Sequence, residues 1–307
     1  MKNHAFLILA HTQPSLLSRI VSVLHAPNHY FFIHVDAKCG GFQRFRDAIN
    51  RIGGGKNFQF VKSIACYHCG VSLVYAEIAL LKEAERHPVH FDYVHLISGQ
   101  DYPLRSNRQF DEFFENTDES FMCYNFEEDM DYWRPIYDEK ANWWHSNGTN
   151  GIIDRFCYRH SHSRLLNRLL PRRPIPNHAG GWQWFSWSDK VVAFVMRYMT
   201  EHPKLLRRFN HTGSPDEHYF TTMLYPYLDQ LKIRKHFPLR YISWHAYHEV
   251  EQQHRPYNMD ERDFDRVVNS AAFFCRKVDE VTSAKFLDMI DAQRGERYDI
   301  REHDYFF

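Results

Sequence analysis

Short apolar runs alternate with amphipathic stretches along the first hundred residues of the chain. Runs of about four to eight apolar residues indicate buried strands, and apolar residues three and four positions apart indicate helices. Strands separated by helices of about ten to fifteen residues predict right-handed βαβ units in a parallel sheet. The predicted strands are 5–10, 30–36, 58–61 and 91–98, and the predicted helices are 14–24 and 72–87.

The second half of the chain has a weaker pattern. The polar and aromatic segment 124–160 predicts long loops, and the basic segment 164–170 predicts a short helix that Pro171 ends. The other expected elements are strands at 182–188 and 240–244, helices at 189–199 and 260–269, and a last strand or turn at 271–277.

No repeat, low-complexity tract or linker interrupts the chain. The pattern therefore predicts an α/β fold with a mostly parallel central sheet flanked by helices. We expect a single domain, 1–307, made of a nucleotide-binding half (1–110) and an acceptor and catalytic half (111–307).

Asp101 is a candidate ligand-binding residue because of where the strand before it ends. Gly99 lets the chain turn sharply after the apolar run, and open α/β sheets bind ligands beyond the carboxyl ends of their strands. The chain contains neither a Gly-x-Gly-x-x-Gly motif nor a Walker A loop, which argues against dinucleotide oxidoreductases and P-loop enzymes. An Asp-x-Asp pair at 129–131 follows no buried strand and receives little weight.

The segment "GSPDEHYFTTML" (213–224) contains the candidate general base. We expect Ser214 to cap a helix, Pro215 to occupy its first turn, and Asp216 and Glu217 to complement its positive end. One carboxylate satisfies such a helix start, which leaves the second available to accept a proton in a pocket. Ordinary capping is the alternative explanation of both carboxylates.

Composition narrows the function further. The 38 basic and 38 acidic residues balance, so no net field draws the chain to nucleic acid or to a membrane. Aromatic residues make up 16% of the chain, and Trp and Tyr rings form platforms for sugars as well as cores. Cys66 and Cys69 form a Cys-x-x-Cys without a second pair at zinc-finger spacing. Because we find no export signal or membrane-spanning run, we expect reduced thiols.

Several motifs, in this order, resemble the core-2/I-branching glycosyltransferases, inverting enzymes that include the peptide O-xylosyltransferases. They are "LILAHTQPSLLSRIVSVL", "FFIHVDAK", "HLISGQDYPLRS", "GGWQWFSWSDKVVAFV", "SPDEHYFTTML", "LRYISW" and "NSAAFFCRKVD". The resemblance implies a GT-A-like fold that dispenses with the metal-binding Asp-x-Asp, so that "SGQD" with its lone Asp101 stands where the pair would be. The tryptophan that the family places before its donor-site glycine is replaced around "CYHCG" (66–70).

The resemblance also implies roles for individual residues. Glu217 is the catalytic base, and Lys277 binds the donor's diphosphate. Arg255 matches a second family cation if the alignment slips by one residue, and Arg276 is a further basic candidate. The remaining implied contacts are the nucleoside with Asp36, the end of the first strand at Ala10 and His11, and the acceptor with Trp244; we add Trp182 to the acceptor side as an aromatic platform.

The expected function is that of an inverting glycosyltransferase needing no metal or other cofactor. It would move N-acetylglucosamine from a UDP-sugar to a hydroxyl of a glycan or glycolipid-linked acceptor. The alternatives are UDP-xylose as donor, or a non-catalytic glycan-binding protein that uses Trp143, Trp144 and Trp182. Lacking a stem and paired cysteines, the chain resembles a compact bacterial, cytoplasmic form; the basic segment 164–173 is either a solvated helix face or a peripheral contact with the inner membrane.

Overall fold

The fold is described from a computed structural model. The residues it describes are 1–52, 57–124, 130–148, 151–160, 163–237, 239–243 and 256–294. Three residues named above, Asp129, Trp244 and Arg255, lie outside these ranges.

Ten strands within the described residues form two sheets. The seven-stranded sheet has the order β3-β2-β1-β4-β7-β6-β8, and the three-stranded sheet has the order β5-β10-β9. The strands are β1 His4–Ala10, β2 His29–Val35, β3 Phe58–Phe60, β4 Tyr93–Ser98, β5 Asp101–Pro103, β6 Ser120–Met122, β7 Phe185–Ser188, β8 Ile233–Arg234, β9 Arg240–Ile242 and β10 Phe274–Arg276.

The large sheet is mostly parallel. Strands β3, β2, β1 and β4 run in one direction, and β7 pairs antiparallel with both β4 and β6. Because β7 comes from the second half of the sequence and pairs with β4 from the first, both halves share one sheet. The predicted α/β architecture with a mostly parallel central sheet is confirmed.

Helices cover both faces of this sheet. Alternate residues of β1 point to opposite faces, so Leu7 packs in one hydrophobic cluster and Phe6 in the other. The helices are α1 Pro14–Leu24, α2 Phe42–Asn50, α3 Ser72–Arg86, α4 Asn107–Glu115, α5 Met130–Asn142, α6 Ile152–His160, α7 Arg164–Leu169, α8 Asp189–Glu201, α9 Pro203–Arg208, α10 Tyr219–Leu224, α11 Phe264–Val268 and α12 Ala284–Gln293.

The prediction of long loops over 124–160 is wrong, because α5 and α6 lie in that segment. Its mixture of polar and aromatic residues hid a buried face, since Tyr137 and Ala141 are fully enclosed by the core. Pro135 inside α5 also breaks the usual helix pattern. Helix α5 brings to the site a lysine that the sequence did not single out.

Several predicted elements are shorter than expected. Strand β7 begins at Phe185 rather than at 182, because the backbone around Trp182 bonds to loops: its N–H donates to the carbonyl of Cys123. The predicted helix 260–269 begins as a 3-10 turn at Glu261–Asp263 and becomes helix α11 afterwards. Among the described residues, no helix has the length and apolar character needed to cross a bilayer.

Candidate active site

The carboxyl ends of β1, β2 and β4 meet at one edge of the sheet. The N–H of Asp36, just after β2, donates to the carbonyl of Ala10 at 2.8 Å, and the N–H of Gly99, just after β4, donates to the carbonyl of Leu9 at 2.9 Å. Ala10, His11, Asp36 and the end of the strand before Asp101 therefore lie at the same edge of the sheet, because parallel strands end together.

Four basic side chains gather at this edge; we call His11, Lys38, Arg276 and Lys277 the cationic corner. Burial lowers the pKa of the His11 imidazole most, and the ammonium of Lys277 lowers it further. Arg276 and Lys38 act on His11 in the same direction, whereas the carboxylate of Asp36 opposes them. Arg276 also donates a hydrogen bond to the hydroxyl of Ser98 at the end of β4, which places a cation at this edge and suits an anionic ligand.

Asp101 holds one of these cations in place. Its side chain is fully buried, and its Oδ1 accepts a hydrogen bond from Nη1 of Arg276 at 2.7 Å. Its Oδ2 accepts from the N–H of Ser98 at 2.9 Å. This geometry gives Asp101 a positioning role instead of the expected direct donor contact, because both carboxylate oxygens already have donors in the protein.

The small sheet explains why Asp101 and Arg276 meet. Strand β5 pairs antiparallel with β10, and the register sets Asp101 opposite Arg276. The guanidinium of Arg276 also stacks over the indole of Trp184, 4.6 Å from the ring centroid. A buried carboxylate and an aromatic face thus fix the orientation of Arg276 toward the sheet edge.

Glu217 lies in a single 3-10 turn, Pro215–Glu217, that precedes α10. Its Oε2 is 2.7 Å from Nζ of Lys140 on α5, and both side chains are about one-third exposed. Burial lowers the pKa of Lys140, but the adjacent Glu217 carboxylate outweighs it and the net shift is upward. A charged, partly exposed carboxylate at a turn is chemically suited to accept a proton from a bound hydroxyl.

The turn before Glu217 differs from the expected helix start. The Ser214 side chain makes no capping hydrogen bond, and its backbone is left-handed with φ at 46°. The turn is tied down through its backbone instead. The N–H of Ser214 donates to the carbonyl of Cys69 at 3.2 Å, and the N–H of Gly213 donates to the carbonyl of Lys140 at 2.9 Å.

The side chain of Asp216, in the same turn as Glu217, is turned away from solvent. It is buried, and its Oδ1 has no hydrogen-bond partner among the described residues. Burial raises the pKa of Asp216 to about 7, with the Glu217 charge adding to the shift. Burial likewise raises the pKa of Glu77 on α3, and Asp216 contributes to that shift. Only Glu217 of this acidic group is free of the core and paired with a cation.

Trp182 lies one residue from a backbone contact with the candidate base. The N–H of Gly181 donates to the carbonyl of Glu217 at 3.0 Å. Any Cβ at position 181 would overlap the carbonyl oxygen of Cys123, so this close approach requires glycine. The backbone of the half-buried Trp182 therefore follows directly on a residue bonded to the Glu217 turn, and its role as an acceptor-side platform stays a prediction.

The loop 66–70 joins the two sides of the site. The N–H of Cys66 donates to Oδ1 of Asp36 at 3.2 Å, while the carbonyl of Cys69 receives the N–H of Ser214. A hydrogen bond to Cys69 raises the pKa of His68, and the charges of Asp216 and Glu217 add to it. The loop thus connects the cationic corner with the Glu217 turn.

The architecture of the sheet indicates the fold class of the chain. The mostly parallel sheet, with β7 reversed between β4 and β6, is the α/β architecture expected of a GT-A-like fold. The family model for the Core-2/I-branching enzyme matches residues 4–268. The chain belongs to the Core-2/I-branching enzyme family.

Curated relatives of the chain include enzymes for two different sugars. It is 20% identical over 237 residues to the human probable beta-1,3-galactosyl-O-glycosyl-glycoprotein beta-1,6-N-acetylglucosaminyltransferase 7, covering 71% of this chain and 48% of that protein. It is 23% identical over 304 residues to xylosyltransferase 1 of Canis lupus familiaris, covering 94% of this chain and 30% of that protein. The chain thus spans half or less of the length of these relatives.

Two solved structures show partial likeness. An active-site mutant of LgtC aligns with 97% of this chain and 98% of its own, with a TM-score of 0.44 and 11% identity. The apo form of mouse xyloside xylosyltransferase 1 aligns with 90% of this chain and 95% of its own, with a TM-score of 0.37 and 13% identity. Family membership rests on the family model, which spans most of the sequence.

Proposed function

We propose that this chain is a glycosyltransferase that moves a sugar from a UDP-sugar onto a hydroxyl group of a glycan, with inversion and without a metal ion. The observation that supports it best is the Glu217 carboxylate, partly exposed and paired with Lys140, connected through the loop 66–70 to the cationic corner. A base on one side and fixed cations on the other are what a single displacement at an anomeric carbon needs.

In this proposal the chain's own residues perform each part of the displacement. Glu217 accepts the proton of the acceptor hydroxyl while that oxygen forms a bond to the anomeric carbon. The bond from this carbon to the diphosphate oxygen breaks on the opposite face, and its electron pair leaves with UDP. The configuration at the anomeric carbon is thereby inverted.

The departing diphosphate would be bound by Lys277 and by Arg276, which Asp101 orients. Cationic donors fixed before the reaction stabilise developing negative charge without reorganising, which replaces the work of a divalent ion. Asp36 and the Ala10–His11 end of β1 would bind the nucleoside. The contributions of Arg255 and Trp244 remain predictions, because both residues lie outside the described ranges.

N-acetylglucosamine is the proposed donor sugar, and xylose is the second candidate. The similarity to the human protein named as an N-acetylglucosaminyltransferase favours the first, and the longer alignment with the canine xylosyltransferase favours the second. Incubation with UDP-N-acetylglucosamine, UDP-xylose, UDP-glucose and UDP-galactose, each with hydroxyl acceptors, separates these candidates by UDP release. Glycan binding without UDP release from any donor would instead support a non-catalytic binding protein.

We also propose that the segment 164–173 makes a peripheral contact with an anionic membrane surface, such as the cytoplasmic face of a bacterial inner membrane. On α7, Leu165 and Leu169 are each 68% exposed, and Arg164 and Arg168 are exposed beside them. Apolar side chains flanked by arginines are typical of helices that lie on anionic bilayers.

Helix α6 also exposes apolar residues. Ile152 and Ile153 are 90% and 66% exposed, whereas Asp154 and Cys157 on the opposite face are buried. The helix thus turns apolar residues to the outside, which is costly in water unless something covers them. Arg172 does not belong to this surface, because its guanidinium is directed inward and donates to the carbonyl of Trp143 at 2.9 Å.

A further inference from the structure

We propose that His4, His29 and Asp111 bind a divalent transition-metal ion, with zinc as the expected occupant. The site lies at the amino ends of β1 and β2, where α4 passes over the sheet. Strand β1 has seven residues, so this edge is about 20 Å from the carboxyl edge that contains the proposed active site. The ion would therefore stabilise the fold and take no part in sugar transfer.

The sheet register brings the two imidazoles together. His4 and His29 are the first residues of adjacent parallel strands and are paired in register, with ring centroids 5.3 Å apart. Asp111 on α4 points at both rings. Its Oδ1 lies 2.8 Å from Nε2 of His29 and 3.6 Å from Nε2 of His4.

These separations suit a tetrahedral metal. The three ligand atoms lie within 4.8 Å of one another. Zinc bonds of about 2.0–2.2 Å in tetrahedral geometry separate neighbouring ligand atoms by about 3.3 Å, a value that lies between the two distances to Asp111. Two imidazole nitrogens and one carboxylate oxygen are also a donor set that zinc accepts, with a fourth position for water.

The far side of each ring is already held in place. Nδ1 of His29 donates to the carbonyl of Leu24 at 2.6 Å, which leaves Nε2 to bind. Nδ1 of His4 lies 3.1 Å from Nε2 of His95, and Nδ1 of His95 lies 2.9 Å from Oγ of Ser186. Metal-binding histidines are usually oriented by such partners on their second nitrogen.

The hydrogen bonds leave a buried nitrogen without a partner. Nε2 of His4 makes no hydrogen bond with any described residue although His4 is fully buried, and it faces Asp111. Because Nδ1 of His4 faces His95, Nε2 is the nitrogen that is left to bind an ion. An unsatisfied buried nitrogen is costly, and a metal bond would satisfy it.

The ammonium of Lys2 does not occupy the position of the metal. The ammonium of Lys2 is engaged by the carbonyls of Phe114 and Thr117, at 2.7 and 2.8 Å. Asn28 donates to Asp111 at 3.2 Å, and its own buried Oδ1 has no hydrogen-bond partner among the described residues. Asp111 is 18% exposed, which gives an ion a route from solvent.

The test is metal stoichiometry of the full chain, stripped with a chelator and reloaded with zinc. We expect one zinc ion per chain, and we expect it to raise the melting temperature. The Asp111→Asn substitution should lower the zinc affinity by more than the 10–100-fold that is typical of losing an outer-shell partner. Asp92→Asn is the matched control, because Asp92 lies at the same edge and bonds the N–H of Asn3 at 2.8 Å. This variant should keep the zinc.

Cobalt provides a second readout that does not depend on any variant folding. Bound Co²⁺ should show the visible absorption of a tetrahedral site with nitrogen and oxygen ligands. A thiolate-to-cobalt charge-transfer band would assign the ion to some of the six cysteines and overturn the proposal. So would the absence of a tightly bound equivalent, or its retention in folded Asp111→Asn and His29→Gln variants. None of these results depends on sugar transfer.

Discussion

Nζ of Lys140 and Oε2 of Glu217 lie 2.7 Å apart, joining two segments 77 residues apart in sequence. The lysine comes from α5, and the glutamate from the 3-10 turn before α10. The ion pair orients the carboxylate, while its one-third exposure leaves room for an acceptor hydroxyl. In the proposed reaction the base is thus charged and aligned before the acceptor arrives.

Replacing Glu217 by glutamine should abolish most turnover without unfolding the protein. Glutamine keeps the shape and hydrogen-bonding reach but cannot take a proton, and general-base catalysis contributes about 10²–10⁴-fold. We expect kcat to fall by that factor while UDP-sugar affinity stays close to the wild-type value. The measurement is UDP release under saturating donor and acceptor.

Glu201→Gln at the exposed end of α8 is the control for this substitution. This substitution removes one negative charge, as Glu217→Gln does, and should leave kcat unchanged. Near-normal transfer by folded Glu217→Gln would exclude Glu217 as the base and would require another proton acceptor.

The sequence revealed one member of this pair and missed the other. Gly213, Ser214 and Pro215 break the chain before two carboxylates, which marked Glu217. Lys140 lies in a segment whose polar and aromatic residues predicted a loop, and its nearest sequence neighbours give no sign of a site. Its partner is set by tertiary packing of α5, through buried Tyr137 and Ala141, and such packing has no short-range signal.

Lys277→Ala should weaken both UDP binding and turnover. A charge-assisted hydrogen bond contributes about 1.5–3 kcal/mol, which corresponds to about 10–150-fold in affinity. Calorimetric titration with UDP measures the first effect, and UDP release measures the second. Lys285→Ala is the control, because Lys285 is 71% exposed and pairs only weakly with Glu261 at 3.3 Å. Equal UDP affinity in the wild type and in Lys277→Ala would show that Lys277 does not bind the donor.

Chelation should leave the initial rate of sugar transfer unchanged. Fixed cations replace a divalent ion in the proposed donor site, so EDTA removes nothing that the displacement needs. The rate is to be measured well below the melting temperature, because loss of zinc from His4, His29 and Asp111 would lower stability. A rate that falls sharply in EDTA and recovers with manganese or magnesium would contradict metal independence. Asp129 of the Asp-x-Asp pair would then be a candidate metal ligand.

Asp216→Asn should change the pH dependence of stability. Burial raises the pKa of Asp216 from 3.8 to about 7, so the folded protein holds a proton that the unfolded chain releases. The protonated carboxyl contributes stability that is complete below pH 3.8 and is lost as the pH rises toward 7. Asparagine has no such titration, so the variant should gain stability relative to wild type across this window.

The measurement for Asp216 is denaturant unfolding at several pH values between these limits. Asp229→Asn, an exposed residue before β8, is the control and should follow the wild-type curve. A constant difference between Asp216→Asn and wild type at every pH would show that the buried carboxyl does not titrate in this window.

The central strands were predictable, whereas the periphery was not. Strands β1 and β2 are buried on both faces, so their apolar runs reveal them directly. Helix α6 could not be predicted from the pattern of its apolar residues. Its exposed Ile152 and Ile153 and its buried Asp154 invert the pattern that identifies a surface helix, so no periodicity rule assigns its faces correctly.

The exposed face of α7 should bind to anionic vesicles but not to zwitterionic ones. Each arginine near an anionic surface contributes about 1 kcal/mol, so Arg164→Gln with Arg168→Gln should weaken binding by about 30-fold. Leu165→Ser with Leu169→Ser should weaken it by removing inserted apolar area, whereas Val281→Ser, at an 86% exposed site elsewhere, should have no effect.

Co-sedimentation at two salt concentrations separates the two contributions, because salt screens only the arginine effect. Equal binding to both vesicle types, no binding to either, or self-association that the leucine variants abolish would contradict a membrane contact, and the last result would assign the surface to a second copy of the chain.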